Sequence, residues 1–167
     1  MGHSSLTERL PALKRFASIL RDLPIPPAPA RTLTLGCGAF PSYGMLYERW
    51  SHWLHIGLDY DLDELRFAPL APLVHADAGH LPFGRSFALI LVRHPDIARH
   101  REAWAVIMEG CSRVLAKGGL LVVTTYDLDE MDFARRHIAL QRYPIDEGAF
   151  EPTDLSGQDR YVLAFRR

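Results

Sequence analysis

The sequence predicts an α/β fold, doubly wound around a mostly parallel sheet with helices on both faces. Three observations carry this. Between residues 31 and 126, strand-like and helix-like stretches alternate five times, the pattern of right-handed βαβ crossovers. "SFALILVRH", residues 86–94, is almost continuously apolar with charges only at its end, as in a strand buried on both faces. "RTLTL", residues 31–35, runs directly into Gly36-Cys37-Gly38, where no side chain helps to fill a core.

The elements follow in order. Leu6, Leu10, Leu13, Phe16, Leu20 and Leu23 recur at three- and four-residue steps and predict an N-terminal amphipathic helix. Ser5 and Glu8 are spaced as its capping box, and Pro11 falls near its first turn. "DLPIPPAPAR", residues 22–31, is too rich in proline for helix and predicts a stiff connector, so residues 1–30 form an appendage to a domain of residues 31–167. After the first strand, "SYGMLYERWSHW" predicts a helix, "LHIGLDYD" a strand, "LDELRFAPL" a helix and "PLVHAD" a third strand. "REAWAVIMEGCSRVLAKGG" follows the fourth strand as a helix with Trp104, Ile107, Met108, Cys111 and Leu115 on one side, and the glycine pair is expected to stop it. "LLVVTTY" is a fifth strand, "DEMDFARRHIAL" a further helix, and "RYVLAFRR" a last strand, expected at an antiparallel edge.

Bulk properties narrow the function classes. A chain of 167 residues suits one domain with a substantial core, and a net charge of −1 gives no global attraction to nucleic acid or anionic lipid. Cys37 and Cys111 have neither zinc nor disulfide-framework spacing, the N-terminus lacks a hydrophobic signal core, and no apolar run reaches membrane-spanning length. A cytoplasmic setting is expected.

In an open parallel sheet, ligands bind beyond the carboxyl ends of the strands, which is where Gly36 and Gly38 fall. Such a turn also occurs with no ligand at all. Asp59, about twenty residues on at the end of the second strand, is placed to accept hydrogen bonds from both hydroxyls of a ribose. Tyr60 beside it offers a ring to a base, or plain packing. Asp77 ends the third strand, where its carboxylate would take an exocyclic amine while the Ala78 N–H donates to a ring nitrogen; the alternative is a turn cap.

With these residues the chain resembles the class I S-adenosylmethionine (SAM) dependent methyltransferases. "LTLGCG" matches the family's glycine-rich first motif, "IGLDYDLDEL" its ribose strand, "ADAGHLPF" with "SFALILVRH" its adenine and fourth strands, and "SRVLAKGGLLVV" its passage from helix to fifth strand. The resemblance implies a Rossmann-like sheet of seven strands, with SAM as cofactor and S-adenosylhomocysteine as product. It places Gly36 and Gly38 under the methionine part, Asp59 on the ribose and Asp77 on the adenine side; Cys37, Tyr60 and Ala78 join them as candidate cofactor contacts, Tyr60 against the base. Thr34 stands where the family has an acid two residues before the first glycine, and Phe40 where many members have a third. The nicotinamide dinucleotide binders share the Gly-x-Gly turn and the later acid, but their third glycine is Pro41 here.

The loop after the fourth strand faces the methyl group in such a fold. His94 is the candidate catalytic base there, with Asp96 to orient it, and a turn residue is its structural alternative. Arg93 is a candidate on the cofactor side and, with His100 and Arg101, for an anionic substrate; Tyr126 and Asp127 are candidates for the acceptor pocket. No metal is expected, because His52 and His55 have no cysteine or carboxylate cluster around them. The expected reaction is methyl transfer to a small molecule. Alternatives are a non-catalytic SAM- or nucleotide-binding module, or a tRNA methyltransferase, which "HPDIARHREAW" faintly resembles although the charge offers a polyanion nothing. The apolar stripe of the N-terminal helix is expected to be buried as a lid or in a homodimer.

Overall fold

The computed structural model describes residues 6–25, 30–68, 70–143 and 159–167. Its elements are α1 (Leu6–Asp22), β1 (Arg31–Leu35), α2 (Tyr43–Arg49), β2 (Leu54–Asp59), α3 (Leu62–Leu65), β3 (Leu73–His75), β4 (Phe87–Arg93), α4 (Arg101–Val114), β5 (Leu115–Thr125), α5 (Leu128–His137), β6 (Gln141–Tyr143) and β7 (Tyr161–Arg166). A short 3₁₀ turn, Ala78–His80, follows β3. The strands form one sheet in the order β3-β2-β1-β4-β5-β7-β6. The first five are parallel, and β7 runs antiparallel between β5 and β6. The chain order reverses between β1 and β4, so a crevice opens there beyond their carboxyl ends.

Alternation along each strand divides the core in two. Leu33 and Leu35 of β1, Ile90 and Val92 of β4, and Leu121 and Val123 of β5 meet α4 and α5 on one face. Leu89 and Leu91, Leu120 and Val122, and Val162 and Ala164 meet α1, α2 and α3 on the other. Both faces of the central strands are therefore dry, as the apolar run in β4 requires.

Several expectations are corrected. The later part of the stripe on α1 packs within this chain: Phe16, Ile19 and Leu20 are buried in its second core, with Leu23 beside them. Helix α4 ends at Val114, before the glycine pair. The pair instead lies in an irregularity of β5, where a Cβ on Gly119 would come within 3.0 Å of the Phe87 carbonyl oxygen. β7 is not an edge strand, because the three-residue β6 pairs outside it. α3 is only four residues long, started by Asp61, whose side chain accepts from the N–H groups of Asp63 and Glu64.

Candidate functional site

The turn after β1 alternates in handedness. Gly36, Gly38 and Phe40 have φ of +62°, +52° and +47°, so the first two positions need residues without a Cβ and the third holds a strained phenylalanine. The strain is held by packing. Phe40 is fully buried on the α2 side of the sheet, against β2 at Gly57, where an added Cβ would lie 2.7 Å from its ring and 2.8 Å from Cys37 Sγ. Phe40 therefore supports the turn from beneath and stays out of the space above Gly36.

Cys37 faces the same core. Its N–H donates to the Leu58 carbonyl at 3.1 Å, its own carbonyl accepts from Phe40 N–H, and burial, then the Asp59 charge, push its thiol up to about 12. Its thiol is thus a packing group, and only its main chain borders the turn.

Asp59 joins the turn to β2. One carboxylate oxygen accepts from Gly38 N–H at 2.7 Å and the other from Asp61 N–H at 2.9 Å, with the residue 7% exposed. Each oxygen retains a lone pair. Tyr60 projects with 73% of its surface exposed, so its ring is free for a ligand rather than packed. Asp77 is exposed and caps the 3₁₀ turn, accepting from Gly79 N–H at 2.8 Å and pairing with His80 at 3.0 Å. The Gly79 bond first, then His80, hold its carboxyl below the usual carboxylate range. The turn-cap alternative therefore applies to Asp77, with lone pairs still open to solvent. Trp104, in the first turns of α4, reaches across the crevice to within 3.7 Å of a Cβ built on Gly36. Its place one turn into the helix that follows β4 is the sequence signal for that role.

On the β4 side the arrangement differs from expectation. Asp96 does not orient His94; it pairs with Arg99 at 3.5 Å and accepts from Arg99 N–H. The acid beside His94 is Asp159, 0% exposed and two residues before β7, with Oδ1 2.9 Å from His94 Nε2. Asp159 Oδ2 takes a 2.9 Å hydrogen bond from Arg93, whose guanidinium also lies 4.1 Å from the centroid of the Phe16 ring. Burial pushes the Asp159 carboxyl up, but His94 and Arg93 outweigh it and hold it well below the usual range. Arg93 therefore links Asp159 to α1. His94 adopts φ +48°, and both its ring nitrogens are shielded from solvent. His100 and Arg101 are exposed at the start of α4, with Arg101 over the Phe133 ring. Tyr126 is exposed with Arg160 over its ring, and Asp127 caps α5 by accepting from Glu130 N–H. His55 is buried between the Thr32 hydroxyl and the Trp50 carbonyl.

The crevice has bare main chain at Gly36, faced by the Trp104 ring, and carboxylates beside Gly38. Besides Asp59, Glu64 Oε2 lies 3.8 Å from a Cβ built on Gly38. Such a rim repels a pyrophosphate, which disfavours a dinucleotide, and attracts a cation such as a sulfonium carrying an amino group. SAM, with its ribose diol and cationic sulfur, fits this set of groups.

The doubly wound sheet with this crevice defines a nucleoside-binding α/β domain of the methyltransferase type. Residues 33–123 match the family model described as a methyltransferase domain, over half of the chain. The chain belongs to this family of SAM-dependent methyltransferases, with SAM as methyl donor. No curated protein sequence matches it significantly. Solved structures share its fold at low identity. A Methanococcus maripaludis protein assigned to the SAM-dependent methyltransferases superposes with TM-score 0.71 at 13% identity, over 96% of this chain and 87% of that one. A TehB-like SAM-dependent methyltransferase from Corynebacterium glutamicum gives 0.67 at 18% identity, over 96% and 95%. Geranyl diphosphate C-methyltransferase from Streptomyces coelicolor, solved with Mg2+, geranyl diphosphate and S-adenosylhomocysteine, gives 0.64 at 16%, over 92% and 79%.

Proposed function

We propose that the protein methylates a small-molecule acceptor in the crevice between the ends of β1 and β4. The Gly38–Asp59 bond at 2.7 Å carries this reading, because it sets a carboxylate and bare main chain side by side. In this reading Gly36 and Gly38 lie under the methionine part of SAM, Asp59 meets the ribose, Tyr60 covers the base, and Asp77 and Ala78 meet the adenine edge. Bound SAM supplies an electrophilic methyl group on a sulfonium.

The chain's own task is orientation: positioning an acceptor in line supplies much of the acceleration of a displacement. His94 fixes the turn after β4 in its left-handed conformation, and Asp159 holds it there, beside the candidate acceptor position. The acidic rim and the net charge of −1 favour a neutral or cationic small acceptor over RNA. α5 begins at Leu128, three residues after β5 ends, which leaves no inserted substrate domain there. The functional domain spans residues 31–167, with α1 roofing the β4 end, and the two buried free cysteines suit a reducing cytoplasm.

A second reading, a non-catalytic SAM-binding module, is favoured by one observation: the Thr34 hydroxyl is buried and unpartnered where the family has an acid. Calorimetric titration with SAM and S-adenosylhomocysteine, followed by methyl-tritiated SAM incubated with a metabolite extract and separately with tRNA, tests both readings. Label in the small-molecule fraction is expected. Label in tRNA overturns the acceptor class, tight binding without label anywhere favours the module, and binding of neither compound overturns both.

A further inference from the structure

The opposite edge of the sheet, where β4 and β5 begin and β7 ends, holds a cleft of about 450 Å³. Among the described residues four arginines line it, Arg85, Arg113, Arg166 and Arg167, beside the uncharged Ser112, Ala139 and Leu140. In a chain whose acids and bases nearly cancel, this is concentrated positive charge, with no acidic side chain among the described residues of its walls. Part of it has a structural task. The Arg167 guanidinium donates to the carbonyls of Ser112 and Leu115, closing the C-terminal end of α4 and offsetting the partial negative charge of that helix end. Arg113, in the last turn of α4, adds to that offset without bonding its carbonyls, and Arg85 has no such task. Both are exposed, and among the described residues neither makes an ion pair.

We propose that this cleft binds the phosphoryl group of a phosphorylated small molecule, with Arg85 and Arg113 as donors and Arg167 as a fixed wall. Guanidinium forks match phosphate oxygens two at a time, and a cleft of this volume falls in the range that holds one small ligand. The cleft lies at the far end of the strands from Gly36, so its occupant neither overlaps the SAM crevice nor depends on methyl transfer.

The probe is sodium pyrophosphate, titrated calorimetrically into the full chain at constant ionic strength, beside Arg85→Ala and Arg113→Ala. Both variants replace exposed side chains, and thermal unfolding checks that each still folds. One pyrophosphate per chain is expected, weakened roughly tenfold in each variant, with SAM affinity unchanged. Arg85→Lys keeps the charge but loses the fork and is expected to fall between. No binding by the wild type, equal binding by the alanine variants, or displacement of pyrophosphate by SAM would each overturn the proposal.

Discussion

Gly38 N–H donates to Asp59 Oδ2 at 2.7 Å, joining the glycine turn to the end of β2 across 21 residues of sequence. The other Asp59 oxygen accepts from Asp61 N–H, so one carboxylate organises both the turn and the start of α3.

Asp59→Ala is therefore expected to weaken SAM binding more than it lowers stability. The loss of charge-assisted bonds corresponds to about 2 to 4 kcal/mol, roughly thirty- to a thousand-fold in affinity. Calorimetric titration beside a urea melt checks this; unchanged affinity would remove Asp59 from the cofactor site.

Gly57 lies under the turn, and its role is steric. A Cβ there would stand 2.7 Å from the Phe40 ring and 2.8 Å from Cys37 Sγ, and 3.0 Å from Leu73. Gly57→Ala is expected to cost about 1 to 3 kcal/mol through overpacking. It should also lower SAM affinity, because displacing Phe40 disturbs the turn above it. Urea unfolding and SAM titration of the same variant read the two effects, and a loss of stability with affinity intact would separate Phe40 from the turn.

Acid is expected to destabilise the protein in two windows. Burial lowers the His55 pKa from its ordinary 6.5, against the opposing effect of its bond to the Trp50 carbonyl. The carbonyl only accepts, so Nε2 carries the proton and Nδ1 accepts from Thr32, a neutral tautomer. Below about 6.5 the unfolded chain then binds the extra proton, and stability falls with pH until the folded histidine titrates. Asp159 acts lower: its depressed carboxyl contributes stability above the ordinary value of 3.8, lost as pH falls through the folded value. Urea midpoints from pH 7.5 to 3 check both, with His55→Gln flattening the upper window. Asp159→Asn leaves the Arg93 guanidinium without its charge partner and is expected to cost about 3 to 5 kcal/mol at pH 7.

The glycine turn, the acid after β2 and the dry fourth strand were legible in the sequence because each is a local pattern. Asp159 was not, since it meets Arg93 across 66 residues and no nearby motif marks it. The direction of the Cys37 thiol was hidden for a related reason: its position between two glycines suggests a ligand, whereas the left-handed φ values on either side turn the thiol into the core. Three-residue β6, "QRY", has no alternation to show, and it exists because β7 offers it an edge. The stripe on α1 declared that it would be buried, but the strand residues that share its core, such as Leu89, Leu120 and Val162, are far away in the sequence.

α1 supplies the last prediction. Phe16 is fully buried and receives the Arg93 guanidinium on its ring at 4.1 Å, so one side chain both fills the second core and holds the cation that pairs with Asp159. Phe16→Ala is expected to cost about 3 to 5 kcal/mol, as for other buried aromatic truncations. Phe16→Leu keeps most of the apolar volume but removes the π face, which isolates the contact with Arg93. In a double-mutant cycle with Arg93→Met, read by urea unfolding, the coupling is expected at about 0.5 to 2 kcal/mol. Removal of residues 1–30 should yield an unstable chain rather than an open-topped enzyme, since it uncovers Leu91, Leu120 and Val122. A truncated protein that melts as cooperatively as the full chain, with SAM affinity alone changed, would return α1 to the role of a lid.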